Sequence, residues 1–136
     1  LATLRDPRVR RIAIANPNIA PYGRAAVAAL QSEHLYDQIK PRLVQAENIA
    51  QTAQLVESGN VDVGLISHSL ALGPALQRAG IFHEISTRLY PPIVQAAVLV
   101  SASKNREAGR ALLEYLKSAD ARQLFEAGGF GPPPQR

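Results

Sequence analysis

Short apolar runs alternate along this chain with segments of helical periodicity, and this alternation constrains its fold more than any other feature. The runs at 11–15, 42–45 and 61–66 are short and bounded by turn residues, which is typical of buried parallel strands. Between them, residues 22–31 and 47–58 space their apolar side chains at helical intervals. The order strand, helix, strand, helix, strand predicts right-handed crossovers and an α/β fold, with a mostly parallel sheet flanked by helices.

The second half of the chain continues the pattern less regularly. Residues 67–80 predict one or two short helices, and the apolar run 93–100 predicts a further strand. One later helix, with Asn105 as its N-cap, is predicted by the helical spacing of Ala108, Ala111, Leu112, Tyr115 and Leu116. Another is expected over 119–127, with Ala121, Leu124 and Phe125 facing inward, and we expect residues 131–136 to be a disordered tail.

Composition excludes several classes of protein. The 136 residues are enough for one domain or one lobe, and no apolar run approaches the roughly 18–20 residues that span a bilayer. Cysteine is absent, which excludes disulfide scaffolds, thiolate metal sites and cysteine nucleophiles. The net charge of +4 favours anionic partners. Because the sequence starts at Leu1 and contains no methionine, we expect that residues upstream were removed.

Two strand-to-helix turns are candidates for an anion site made of main-chain groups. They are Ala20-Pro21-Tyr22-Gly23, after the first strand, and Ala46-Glu47-Asn48-Ile49, after the second. The first turn of each helix leaves backbone N–H groups unpaired at the positive end of the helix dipole. Neither a Walker loop nor a dinucleotide fingerprint occurs, so the pattern favours one compact tetrahedral oxyanion. The alternative is that these turns bind only water.

Other polar residues do not form a recognisable site. Arg5, Arg8, Arg10 and Arg11 cluster without interleaved aromatic residues, so no nucleic-acid partner is expected. His34, His68 and His83 lack the spacing of metal ligands. The run Ser67-His68-Ser69 has no nucleophile-elbow motif around it. We therefore expect no catalytic residues, no directly bound metal and no enzymatic activity.

The same turns carry a family resemblance that extends over nearly the whole chain. The sequence resembles the periplasmic molybdate/tungstate-binding proteins of ABC importers. The matching segments are Ile12–Pro17, Ala20–Ala26, Gln45–Thr52, Gly59–Ile66, Tyr90-Pro91-Pro92, Leu113–Leu116 and Phe125–Phe130.

This resemblance implies a bilobal binding protein with the type II periplasmic-binding-protein fold, which closes on its oxyanion. Residues 1–100 would be the second lobe, and the C-terminal helices at 101–130 would pack on a missing first lobe. The implied ligand contacts are the backbone amides of Tyr22 and Ile49. Ser67 stands where the family often has an anion-contacting tyrosine and is a third candidate, with a shorter reach.

The resemblance also implies a periplasmic location, an ABC permease as partner, and molybdate or tungstate as ligand without any cofactor. Since the first lobe would supply half of the donors, we expect this chain alone to bind weakly and to self-associate through its exposed apolar side chains. Two alternatives stay open: a receptor for sulfate or phosphate, and the effector-sensing domain of a transcription regulator.

Overall fold

A parallel three-stranded sheet forms the centre of the protein. The computed structural model describes residues 1–132. The strands are β1 (Ile12–Ala15), β2 (Leu43–Ala46) and β3 (Val63–Gly64), and their spatial order is β2-β1-β3. Both outer strands run parallel to β1. The α/β fold with a parallel sheet expected from the sequence is thereby confirmed.

Helices cover both faces of this sheet. The helices are α1 (Pro21–Ser32), α2 (Tyr36–Ile39) and α3 (Ile49–Glu57), followed by the short α4 (His68–Ala71) and α5 (Pro74–Ala79). One-turn 3-10 helices occur at Ala2–Arg5, Lys40–Arg42 and Thr87–Leu89. The predicted strands at 11–15 and 42–45 and the helices at 22–31 and 47–58 are found within two residues of the expected bounds. The predicted strand at 61–66 is shorter than expected, because only Val63 and Gly64 pair with β1.

Strand β1 is the most buried element, and its two faces meet different helices. Ile12 and Ile14 lie fully buried in the main core. Their neighbours in that core are Leu4, Ala26, Leu30, Leu35, Ile39 and Leu65. On the opposite face, a Cβ on Gly64 would come within 2.3 Å of the Val56 side chain, which shows how closely α3 approaches the sheet. The helices that follow β1 and β2 therefore lie on opposite faces of the sheet.

The first residues of the chain are held to the sheet by Arg42. Its half-buried guanidinium donates hydrogen bonds to the carbonyl oxygens of Leu4 (2.7 Å), Asp6 (3.0 Å) and Val9. At the amino end of β1, one carboxylate oxygen of Asp62 accepts the amides of Arg10 and Arg11, each at 2.8 Å. Both contacts involve residues more than thirty positions apart, so they fix the entry of the chain into the sheet.

Leu1–Ile93 is one compact unit, and a second begins at Val94. It contains α6 (Arg106–Tyr115) and α7 (Ala119–Ala127), in agreement with the two helices predicted there. Asn105 occupies the N-cap position of α6, but its side chain makes no capping hydrogen bond. In α7, by contrast, the N-cap Ser118 does make a capping hydrogen bond, because its hydroxyl accepts the amide of Ala121 at 3.1 Å. Residues 133–136, most of the tail predicted at 131–136, lie outside the described residues.

Two expectations for this region are wrong. Residues 93–100 form no strand, because no segment within residues 1–132 pairs with their backbone, and a strand exists only through such pairing. Leu124 and Phe125 do not face inward: they are 64% and 42% exposed, whereas Ala121 is buried as predicted. The described residues therefore cover this face at Ala121 but leave it largely open at Leu124 and Phe125.

Within residues 1–132, no helix has the length and apolar character needed to cross a membrane.

Candidate functional site

The carboxyl ends of β1 and β2 lie side by side at one edge of the sheet. Ala15 pairs with Ala46 in the parallel register, and the amide of Asn16 donates to the carbonyl of Ala46 at 2.7 Å. Each strand continues through a short loop into a helix, β1 into α1 and β2 into α3. The N-termini of both helices are therefore brought to the same edge, which is where open α/β sheets bind ligands.

The loop after β1 is a compact turn organised by Asn16. Its side-chain oxygen accepts the amide of Asn18 at 3.0 Å, and its carbonyl accepts the amide of Ala20 at 2.8 Å. Pro21 then occupies the first position of α1, where its missing N–H costs nothing and its fixed φ favours the helix. The six residues Asn-Pro-Asn-Ile-Ala-Pro, at 16–21, thus end the strand and start the helix.

The first turn of α1 presents unpaired amides. The N-cap Ala20 has no side-chain acceptor to offer. Within residues 1–132, the amides of Tyr22 and Gly23 donate to no protein group. Tyr22 is half-buried at the surface of this edge. These amides lie at the positive end of a twelve-residue helix and are available to an acceptor from outside the chain.

Gly23 fixes the position of these amides, and sequence reasoning missed this role. A Cβ on Gly23 would come within 2.2 Å of the carbonyl oxygen of Ala15. Because that neighbour is backbone at the end of a buried strand, it cannot move aside as a flexible side chain could. Only glycine allows α1 to start this close to β1. The sequence shows a glycine in the Pro-Tyr-Gly turn, but the contact that requires it appears only in the structure.

At the first turn of α3, side chains accept some of the backbone amides and leave others without an acceptor. Asn48, the N-cap, accepts the amide of Gln51 on its side-chain oxygen at 2.9 Å, and Gln51 in turn accepts the amide of Glu47 at 2.6 Å. Within the described part of the chain, the amides of Ile49 and Ala50 have no protein acceptor. The predicted amide of Ile49 is therefore placed like that of Tyr22, on the neighbouring strand end.

Ser67 lies at the same edge, beyond the third strand. The amide of Leu65 donates to the carbonyl of Ala13 at 2.9 Å, so the segment leaving β3 follows β1 on the side away from β2. Ser67 is buried, caps α4 by accepting the amide of Leu70 at 3.4 Å, and shares a hydrogen bond of 3.1 Å with the hydroxyl of Ser69. Its hydroxyl is thus already engaged in local structure, and its contact with a ligand stays a prediction.

Charges are distributed unevenly between the two edges of the sheet. The loops at 16–20, 47–48 and 65–67 contain a single ionisable side chain, Glu47, which is exposed. At the opposite, amino-terminal edge, the amides of Arg11 and Arg10 hydrogen-bond to Asp62 and lower the pKa of that carboxyl below its usual value. The positive potential of the carboxyl edge therefore comes from backbone N–H groups and helix dipoles, without a cationic side chain in these loops.

The family of this chain follows from comparison with known proteins. A family model described as "Bacterial extracellular solute-binding protein" matches residues 1–131. The chain is 35% identical over 130 residues to the molybdate-binding protein ModA of Azotobacter vinelandii and 32% identical over 122 residues to ModA of Rhodobacter capsulatus. These alignments cover 96% and 90% of this chain but 52% and 47% of the relatives, so the chain spans about half the length of the curated relatives it matches.

Solved structures agree with this result. The periplasmic molybdate-binding protein of Azotobacter vinelandii superposes with a TM-score of 0.83 at 29% identity, over 96% of this chain and 58% of that one. The substrate-binding domain of a molybdenum ABC transporter from Clostridium difficile, described there as putative, superposes with a TM-score of 0.74 at 26% identity, over 95% of this chain and 56% of that one. The chain belongs to the bacterial extracellular solute-binding protein family.

Proposed function

We propose that this chain binds a tetrahedral oxyanion, molybdate or tungstate, at the carboxyl edge of its sheet, as part of an ABC-type import system. The observation that carries the proposal is that α1 and α3 begin at the same edge of the sheet, with unpaired amides at Tyr22 and Ile49. The names of the molybdate-binding relatives support the choice of ligand. They also favour import over the two alternatives, a sulfate or phosphate receptor and a regulator's sensing domain.

The chemistry of the edge fits a small dianion. Amides aligned with two helix dipoles replace part of the hydration shell that the anion loses, and each charge-assisted hydrogen bond contributes about 1.5–3 kcal/mol. These amides lie in two short turns, so they suit one compact anion better than an extended phosphate chain. Molybdate, tungstate and sulfate share charge and shape, and selection among them would depend on the size of the closed site. Molybdenum enters as ligand, and no cofactor is part of the proposal.

The transport role and its location are further parts of the proposal. The chain would present its anion to a membrane permease outside the cytoplasm, in the periplasm, and would catalyse no reaction. The relatives' names support this, since they describe periplasmic and substrate-binding transport proteins. With the donors of this edge alone, we expect weak, saturable binding, with a dissociation constant well above micromolar. Submicromolar affinity, measured by calorimetry, would contradict this expectation.

The test deletes one amide without unfolding the helix. Ile49 is the first residue of α3, a position that favours proline, and Asn48 before it is extended (φ −147°, ψ 174°), as a residue preceding proline should be. Ile49→Pro therefore removes the N–H and leaves the helix able to form. We expect sodium molybdate to cause saturable amide shifts at Tyr22 and Ala50 in NMR titrations of the original chain, and Ile49→Pro to weaken binding about tenfold or more.

Ile49→Ala is the matched control, because it truncates the same half-buried side chain but keeps the amide. It should bind molybdate within about twofold of the original chain. Equal weakening by Pro and Ala would assign the effect to the side chain and refute the amide contact. If millimolar molybdate shifts no amide at this edge in the original chain, the proposed function itself fails.

A further inference from the structure

The N-terminus of α3 is capped entirely by neutral side chains. The side chain of Asn48 accepts the amide of Gln51 at 2.9 Å, and the side chain of Gln51 folds back to accept the amide of Glu47, the residue before the N-cap, at 2.6 Å. The hydroxyl of Thr52, a fully buried residue, adds a hydrogen bond to the carbonyl of Asn48 at 2.9 Å. Every capping acceptor is thus an amide or carbonyl oxygen without formal charge.

Glutamate at position 51 would keep an acceptor at this turn but would add a second negative charge near Glu47, four residues earlier. Glutamate at the third helical position can make the same backward hydrogen bond, and its charge interacts favourably with the positive end of the helix. Gln51 accepts the Glu47 amide without introducing a negative charge. The side chain reaches the turn that also contains the unpaired amides of Ile49 and Ala50. A carboxylate there would compete with an external anion for the same positive potential.

We infer that Gln51 is a positioning residue for the anion: through a neutral acceptor it holds the Glu47–Ile49 turn in shape, so its side chain adds no second negative charge to the one that Glu47 brings to this turn. The inference rests on the proposed function, since it concerns the same site. It divides the amides of the turn into two groups. Side chains accept the amides of Glu47 and Gln51. Within the described residues, the amides of Asn48, Ile49 and Ala50 have no protein acceptor and are left for the ligand.

Gln51→Glu tests this inference because it keeps the size and the acceptor of the side chain and changes its charge. A carboxylate about 6 Å from a dianion in a water-like dielectric weakens binding about tenfold at low salt. Salt screens this repulsion, so the difference from the original chain should shrink to about twofold near 1 M sodium chloride. Without ligand, the thermal midpoint of Gln51→Glu should stay close to that of the original chain, because attraction to the helix N-terminus offsets repulsion from Glu47. A purely structural role would move stability and affinity in the same direction.

Gln54→Glu is the matched control. Gln54 is exposed on the same helix, about one turn further from the N-terminus, so the charge added to the chain is identical but lies farther from the amides. Its affinity for molybdate should stay within about threefold of the original. All three proteins are titrated with sodium molybdate and sodium chloride in NMR experiments that follow the amides of Tyr22, Ile49 and Ala50.

The outcomes separate this inference from the proposed function. If the original chain binds and Gln51→Glu binds equally well at low salt, the positioning role of Gln51 is refuted while the oxyanion site stands. If Gln51→Glu and Gln54→Glu weaken binding equally, the effect is one of net charge and the inference is again refuted. No saturable shift in the original chain would refute the oxyanion site and, with it, the role of Gln51.

Discussion

The unit formed by Leu1–Ile93 and the residues from Val94 onward have similar apolar content but use it differently. In the first, β1 is buried on both faces and contacts helices from both sides. In the second, Val98, Leu112 and Leu124 are 84%, 57% and 64% exposed, and Ala121 is the buried hydrophobic residue of α6 and α7. Hydrophobic patterning therefore predicts which residues share a face, but burial requires a partner surface as well.

The contrast also concerns long-range polar contacts. In the first unit, Arg42 and Asp62 join segments far apart in sequence. In the second, the side-chain hydrogen bonds among the described residues connect positions at most five residues apart, such as Lys117 with Glu114 at 2.7 Å. Local contacts of this kind shape helices and turns but do not hold distant segments together. We therefore expect substitutions in the first unit to have the larger effects on stability.

The largest effect on stability is expected from truncation of Leu30 in the first unit, compared with the same truncation of Leu124 in the second. Leu30 is completely buried against Ile12 and Ile14, so Leu30→Ala should lower the free energy of unfolding by about 2–5 kcal/mol. Leu124→Ala, at a mostly exposed position, should change it by no more than about 0.5 kcal/mol. Urea denaturation followed by circular dichroism measures both. Similar losses in the two variants would show that the second unit has a core of its own.

Gly23→Ala should have the next largest effect. The new Cβ would collide with the carbonyl of Ala15, which forces the start of α1 away from β1 at a cost of about 1–3 kcal/mol. The variant should also weaken molybdate binding, because the amide of Tyr22 moves with the helix. Gly80→Ala is the control: a Cβ there meets nothing within 4 Å, and the residue is extended (φ −175°). Loss of stability in both variants would point to a general effect of glycine replacement.

The helices of both units could be predicted from periodicity, including α6 and α7 of the second unit. The elements β1, α1, β2 and α3 were predicted within two residues, because periodicity and turn residues mark their bounds locally. The strand at 93–100 was wrong, since an apolar run of high β-propensity becomes a strand only when another strand supplies hydrogen bonds. The helix α2 (Tyr36–Ile39) was missed because one turn is too short to show periodicity.

The candidate site shows a related limit. The turns containing Tyr22 and Ile49 follow from breaker residues and a family resemblance, and the structure places them at one edge. Gly23 and Gln51 were missed because their roles are contacts, with the Ala15 carbonyl and the Glu47 amide. For Gln51 a signal existed: Asn48 followed three residues later by glutamine is the spacing of a capping box. For Gly23, the sequence does not show how closely the residue approaches the carbonyl oxygen of Ala15.

Self-association should depend on the exposed apolar side chains of the second unit and not on those of the first. We expect the apolar surface of the second unit to bring copies of this chain together, so that the average mass in sedimentation velocity rises with concentration. Burial of a leucine side chain stabilises a contact by about 1.5–3 kcal/mol, so Leu124→Glu should weaken association about tenfold or more. Ile81→Glu, at a 90% exposed residue of the first unit, should leave association unchanged. A monomer at every concentration would contradict this prediction.

The smallest effect on stability is expected from substitution of Asp62, whose long-range contacts can be compared with a local ion pair of Glu114. The amides of Arg11 and Arg10 lower the pKa of this carboxyl when the protein is folded, so its ionised form stabilises the fold. That contribution is fully present above the usual carboxyl pKa of 3.8 and is lost as the pH falls through the lower, folded value. Asp62→Asn should therefore be less stable than the original chain at pH 7, and the difference should disappear in acid. Glu114→Gln removes an exposed, local ion pair with Lys117 and should change stability at neither pH. Equal effects of the two substitutions across the pH range would mean that sequence separation does not decide which charged contacts stabilise this chain.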